Sequence, residues 1–343
     1  MIKKWFLLTS LVFFMLPAYV FAKDVNLSAE AEKEGMELHW DPLTRAGVLE
    51  KNGHYISFSA GNSFVLKDFV ILVKEDAPYV EDNILMATSS FMKNAEDFFT
   101  GTDSISAYKI GAILIDPGHG GKDPGALKEW VFDGKKTTVQ EKDITLTTGL
   151  LLRDYLRKAY PDKKILMTRS TDVYLKLEER TEIANSVKLD ENEAILYVSI
   201  HVNASLDQNV SGYEAWYLSP DYRRQVLDKK VSDDEDVQSI LNDMMEEEYT
   251  LESILISKFV LEGIGEQVGD LSKSRGMKAN DWFVVKNSMM PSVLLEIGFL
   301  TNEAEAKLLN DGSYLKKVAL GVYNGLQAFV SHFERSSGFT GAN

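Results

Sequence analysis

The segment Ala194-Ile195-Leu196-Tyr197-Val198-Ser199-Ile200 is apolar almost throughout, and Ala112–Asp116 and Ser292–Ile297 have the same texture. A strand can be apolar on both faces only if both faces are covered, so these runs demand a sheet with layers on each side. From Ile110 onward the chain alternates such runs with helical patterns. Ala112–Asp116, Lys164–Thr168, Ala194–Ile200, Tyr213–Leu218, Trp282–Val285 and Ser292–Ile297 read as six short strands. Ile144, Leu151, Tyr155 and Ala159 recur at helical spacing, and Leu177 to about Val187, Val237–Tyr249, Leu251–Val268 and Tyr314–Phe333 read as further helices. The alternation predicts an α/β domain over residues 110–335, a six-stranded mostly parallel sheet flanked by helices. Residues 336–343 read as a tail.

The preceding segment has a different rhythm. Residues 23–105 read as a small β-rich N-terminal domain. Its strongest signal is the hairpin Gly47–Lys51, Asn52-Gly53, His54–Phe58, where Asn-Gly suits a type I′ turn. Phe69–Val73 reads as a buried strand and Ser89–Phe99 as a closing helix. The hydrophobic rhythm of this unit resembles the small N-terminal domains of copper amine oxidases and some cell-wall proteins, which makes wall binding one expected role. No catalytic cluster appears here: His39 and His54 stand singly beside aromatic residues, and each reads more as a structural histidine than as a ligand. Residues 1–22 carry Lys3 and Lys4, an apolar stretch from Trp5 to about Ala18, and Val20-Phe21-Ala22. That pattern predicts a cleaved signal peptide, an extracytoplasmic protein (periplasmic or secreted) and no membrane anchor after cleavage.

Composition narrows the chemistry. The chain contains no cysteine, which removes disulfides, thiolate metal sites and a cysteine nucleophile. With 37 Lys plus Arg against 52 Asp plus Glu, the net charge of −15 argues against nucleic-acid binding, which needs excess cations to neutralise phosphate. Any metal must therefore be held by imidazole and carboxylate. Ile115-Asp116-Pro117-Gly118-His119-Gly120-Gly121 follows the first strand of the large domain, and Ser199-Ile200-His201-Val202-Asn203 ends another. In open α/β sheets ligands bind just beyond the carboxyl ends of strands. The glycine loop lacks the spacing of a phosphate loop; a plain turn with an incidental histidine is the alternative. Two histidines ending buried strands of one sheet point instead to a metal. Glu141, in Gln140-Glu141-Lys142-Asp143, is the best third ligand, although an acid in a first helical turn also favours the helix dipole. Glu296 interrupts the apolar strand Leu294–Ile297. A carboxylate there needs either a partner such as an arginine or a function, and a general base is the functional reading.

These motifs together resemble the zinc-dependent N-acetylmuramoyl-L-alanine amidases of the type-3 catalytic domain. The resemblance runs from Ile113 to the end of the large domain. It rests on Asp-Pro-Gly-His-Gly-Gly-x-Asp-Pro-Gly-Ala (116–126), Glu-Lys-Asp (141–143), Thr-Arg-x-x-Asp (168–172) leading to Arg180 and Ala184-Asn185, Ser-Ile-His-x-Asn (199–203), and Glu-x-Gly-Phe-x-x-Asn (296–302). It implies the phosphorylase/hydrolase-like amidase fold, one Zn2+ per chain on His119, Glu141 and His201, and Glu296 as catalytic residue. It implies a peptidoglycan substrate cut between N-acetylmuramic acid and L-alanine, in cell-wall remodelling or daughter-cell separation. Asn203 and Arg180 are candidates for substrate binding or for bracing the site. Another zinc peptidoglycan hydrolase, an endopeptidase or deacetylase, is the nearest alternative, and a non-enzymatic wall-binding protein a more distant one. Between Leu218 and Leu251 the chain is longer than a simple connection needs. Residues 235–249 are expected to be helical, either as a gate over the site that a protein activator displaces or as a solvated acidic helix packed by an apolar stripe of Val237, Ile240, Leu241 and Met244.

Overall fold

The computed structural model describes residues 24–68, 71–101, 108–190, 192–227 and 235–335. The expected signal segment, the Phe69-Val70 start of one expected strand and the tail 336–343 lie outside the described residues. The chain divides into two compact units between Thr100 and Gly101. The small unit carries a five-stranded antiparallel meander in sequential order, from Glu37–Asp41 to Ile71–Lys74. Its hairpin turn is as expected: Asn52 and Gly53 both have positive φ, at 59° and 82°. The helix Ser89–Phe99 buries Phe91, Ala95 and Phe98, within a core that also holds Leu49, Ile56 and Val65.

The large unit begins with β1 (Lys109–Pro117), followed by the hairpin β2 (Leu127–Phe132) and β3 (Lys135–Gln140). Helix α1 (Glu141–Ala159), β4 (Lys164–Met167), α2 (Leu177–Asn185), β5 (Glu193–Asn203) and β6 (Tyr213–Tyr217) come next. The chain ends with α3 (Glu235–Val268), β7 (Ser274–Ala279), α4 (Phe283–Lys286), β8 (Ser292–Phe299), α5 (Glu303–Leu309) and α6 (Gly312–Arg335). The main sheet has six strands in the order β4-β1-β5-β8-β6-β7. The first four are parallel, β6 is antiparallel to β8, and β7 is parallel to β6. One face packs Ile113, Ile115, Val198, Ile200, Val293 and Leu295 on α1, α3 and α6; the other packs Leu114, Tyr197 and Leu294 beneath α2 and α4. β5 and β8 form the central pair, and β1, β5 and β8 are buried almost throughout, as their apolar sequences require.

Three expectations need correction. Trp282–Val285 is not a strand; Phe283–Lys286 form one helical turn, and the sixth strand is Ser274–Ala279. A four-residue apolar run has no readable period, and the true strand is polar because it lies at the edge with alternate residues in water. The two helices expected over 237–268 are one continuous helix, α3. The buried stripe of α1 runs through Ile144, Thr148, Leu152 and Leu156, one step away from Leu151 and Tyr155, because Gly149 lies against Pro117 and lets the helix approach there.

Candidate active site

Four of the sequence-predicted residues meet at the carboxyl ends of β1, β5 and β8 and the start of α1. His119 follows β1 with a left-handed backbone, φ 59°, a conformation a non-glycine residue holds only where its surroundings impose it. His201 is near the end of β5, paired in register with Glu296 on β8. Glu141 opens α1. Its Oε1 stands 3.2 Å from His119 Nε2 and 3.0 Å from His201 Nδ1, and accepts the Val202 N–H at 2.9 Å; its Oε2 accepts the Ala126 N–H at 2.8 Å. The three residues offer ligand atoms within 4.8 Å of one another and can hold a metal ion. Two imidazoles and a carboxylate form a zinc-type donor set that leaves room for a further ligand. The His119 and His201 side chains remain 25% and 17% exposed against 5% for Glu141, so the cluster is open on the histidine side.

Electrostatics agree with that fit. Burial opposes ionisation of Glu141, but hydrogen bonds and charge from both histidines outweigh it and hold its carboxyl far below the usual range. His119 is raised despite burial, through Glu141 and Asp123; Asp123 Oδ2 pairs with His119 Nδ1 at 2.8 Å and so aims Nε2 at the cluster. Glycines make the space. A Cβ on Gly125, which has φ +63°, would sit 2.4 Å from Glu141 Oε2, and one on Gly118 would strike the His201 ring.

Glu296 is a half-buried residue whose Oε2 is sealed from solvent and has no hydrogen-bond partner among the described residues. No arginine among the described residues answers it. Burial first, then the negative charges of Glu141 and Glu214, push its carboxyl well above the ordinary range. An orphaned carboxylate oxygen is costly, and beside a cluster of metal-ligand type it marks the place where a positive or proton-bearing partner belongs.

The two expected substrate contacts are placed differently. Arg180 is buried, and its guanidinium is spent internally: on Asp116 Oδ1 at 2.6 Å, Pro117 O at 2.8 Å and His119 O at 2.7 Å. It braces the His119 loop. Asp116 is the hub of that brace, also accepting from Thr168, Tyr197 and Ser199. Asn203 donates to Glu214 Oε1 at 2.9 Å, and its Oδ1 accepts the Ala204 N–H. Arg169, buried, ties the two ligand-bearing segments together by donating to Pro117 O, Gly118 O and Lys142 O. Asp172 and Lys142 add a second tie through Gly121.

Sequence reasoning missed Glu214, which registers with Glu296 from β6. Its signal was the one that exposed Glu296, a carboxylate inside an apolar strand. Residues 235–249 are helical as expected but do not stand over the site. Asn242 bonds Val226 and Arg224, Glu246 accepts the Arg224 N–H, and Met245 and Tyr249 line a cavity with Ala194 and Pro291, where β5 and β8 begin. His201 lies seven residues further along β5 than Ala194, roughly 23 Å at the rise of a strand. Of the expected stripe, Leu241 is buried while Ile240 and Met244 are exposed.

Among the described residues no helix is long and apolar enough to cross a membrane. Residues 113–328 match the family model described as N-acetylmuramoyl-L-alanine amidase. A probable N-acetylmuramoyl-L-alanine amidase, AmiB of Haemophilus influenzae, is 32% identical over 253 residues, covering 68% of this chain and 55% of that protein. The sporulation-specific N-acetylmuramoyl-L-alanine amidase of Bacillus subtilis is 32% identical over 227 residues, covering 66% of this chain and 71% of its own length. The solved structure of N-acetylmuramoyl-L-alanine amidase AmiC2 of Nostoc punctiforme aligns with TM-score 0.48 and 26% identity, over 64% of this chain and 97% of that one. The match thus spans about half of the first relative and most of the second, and its centre is the segment carrying His119, Glu141, His201 and Glu296: the chain belongs to the N-acetylmuramoyl-L-alanine amidase family.

Proposed function

We propose that this chain hydrolyses the amide between N-acetylmuramic acid and L-alanine in peptidoglycan, with one zinc ion on His119, Glu141 and His201 and with Glu296 as general base. The observation that carries the reading is the convergence of those three ligand groups one strand away from an unpartnered carboxylate oxygen. Zinc, when bound, supplies Lewis acidity that polarises an amide carbonyl and makes a water molecule acidic. The chain's own residues do the rest. Asp123, Arg180 and Arg169 hold the His119 loop and the start of α1 in place, so that the ligand groups are set before substrate arrives. The Glu296 carboxylate, with no competing donor on its Oε2 among the described residues, takes the proton of the attacking water and returns it to the departing amine of L-alanine. Such a substrate lies outside the cytoplasm, and the Lys3-Lys4 and apolar start of the chain supports export.

The test is metal content together with product analysis. The zinc-loaded chain should release free stem peptide from muropeptides and leave intact glycan, and chelation should stop it. Cleavage within the peptide, or acetate release without peptide release, would instead establish the endopeptidase or deacetylase chemistry.

A further inference from the structure

Beyond Glu296 the same row of side chains continues across the sheet. His201 on β5, Glu296 on β8 and Glu214 on β6 are paired in register, so their side chains stand on one face at about 5 Å per strand. Glu214 is fully buried and is held from four directions. Its Oε1 accepts from Asn203 and Trp216, and its Oε2 from Arg275 Nε at 2.7 Å and from Lys278 Nζ. One negative charge therefore faces two positive ones. Burial opposes the Glu214 charge, but Lys278 and Arg275 hold its carboxyl below the ordinary range, so it stays ionised and one positive charge is left over. Arg275 and Lys278 are 35% and 31% exposed. A guanidinium has five N–H donors and an ammonium three, far more than Glu214 uses. Lys278 Nζ also lies 5.0 Å over the Trp216 ring, and Trp216 meets the exposed Trp282 edge to face at 5.9 Å. The cationic pair is thus part-exposed, walled by tryptophan, and one strand from the unpartnered carboxylate.

Resting on the amidase reading, we infer that Arg275 and Lys278 bind the free carboxylate on the second residue of the stem peptide, which runs from the zinc cluster across β8, β6 and β7 with Trp216 and Trp282 along its side. The spacing suits this. The cationic heads reach Glu214, one strand from Glu296, and so lie between about 5 and 10 Å from it. Two residues of extended peptide beyond the scissile amide reach about 7 Å. A carboxylate shared by an arginine and a lysine gains charge-assisted hydrogen bonds that a carboxamide in its place cannot make.

The experiment uses the full zinc-loaded chain and two synthetic substrates, N-acetylmuramoyl-L-Ala-γ-D-Glu-L-Lys and the same molecule with the α-carboxylate of its second residue amidated. Wild type should favour the acid by about tenfold or more in kcat/KM, with the difference in KM. Lys278→Met should bring the ratio close to one by slowing the acid substrate alone, and Lys278→Arg should restore it. Lys278→Met leaves Arg275 on Glu214, so the buried carboxylate keeps a cation and the fold; Arg275→Gln is the companion variant. A wild-type ratio within twofold, or variants that slow both substrates equally, would overturn the subsite while leaving the amidase reading intact. Failure of wild type to cleave either substrate would overturn both.

Discussion

Replacing Arg180 by methionine tests how the active-site loop is held. The substitution keeps the bulk of the side chain and removes a charge. Asp116 is then left as a carboxylate with 0% exposure and no ion-pair partner, with only the more distant charge of Arg169 acting on it; the His119 carbonyl loses its Arg180 donor, and Pro117 O keeps only Arg169. Removing one partner of a buried ion pair costs about 3–5 kcal/mol, set against a total stability of roughly 5–15 kcal/mol. For a unit of this size that is a fall in Tm of about 6–20 °C. The pH dependence follows from Asp116. In the wild type, burial opposes its ionisation, but Arg180, Thr168 and Tyr197 hold its pKa below the ordinary value. Its stabilising contribution is therefore full above about pH 4, the unfolded value, and fades as pH falls through the lowered folded value. In Arg180→Met burial loses its chief opponent, so the pKa of the same carboxyl moves up; its penalty should be greatest near neutrality and fade as it takes up a proton. The gap between the two proteins should be widest at pH 7 and narrow toward pH 4. Urea unfolding at both pH values measures it. Adding Asp116→Asn to Arg180→Met should recover part of the loss. A penalty below about 1 kcal/mol at neutral pH, or one unchanged at pH 4, would refute the bracing argument.

His119→Ala and His201→Ala should each lose bound zinc and hydrolysis together, read by metal analysis of the purified chain; stoichiometric zinc in either variant would contradict the ligand assignment. Glu296→Gln should keep zinc and the wild-type melting temperature while turnover falls by about 10²–10⁴-fold, and near wild-type turnover would place the base elsewhere. Gly125→Ala puts a methyl group 2.4 Å from Glu141 Oε2 at a residue with φ +63°, so metal affinity should drop in a chain that still folds; unchanged zinc affinity would show that the loop yields.

The readable part of the site was the part where chemistry conflicts with packing. His119 and His201 stand where buried strands end, and Glu296 breaks an apolar strand, so each contradicts its neighbours in a way that sequence alone displays. Arg180 displays no such conflict, because an arginine in an amphipathic helix looks the same whether it reaches solvent or turns inward to Asp116. Its role depends on a partner 64 positions earlier, which no local pattern encodes. The fold divides in the same way. The central strands were legible from their continuous apolar character. Ser274–Ala279 was not, since Ser-Arg-Gly-Met-Lys-Ala lies at an edge where water satisfies alternate side chains. Trp282–Val285 misled because four apolar residues fit one turn of helix as well as a strand.

The reversal of β6 against β8 has a bearing on where new sequence can be added to this chain. Each antiparallel step exchanges the two rims of the sheet, so the rim at which a connection emerges is decided by strand direction and not by its distance along the chain. Connections leaving β1, β5 and β8 emerge at the rim where His119, His201 and Glu296 meet. The connection leaving β6 emerges at the other rim, and the long insertion before Leu251 is this connection. However long or acidic it becomes, extra chain there grows away from the chemistry and toward the starts of β5 and β8, where Met245 and Tyr249 are found. A lineage can therefore elaborate that rim as a place for contacts, regulation or mere bulk without narrowing the path to the metal. The loop from β5 to β6 has no such freedom, since every residue added between Ala204 and Gly212 would land beside Glu214 and the mouth of the site.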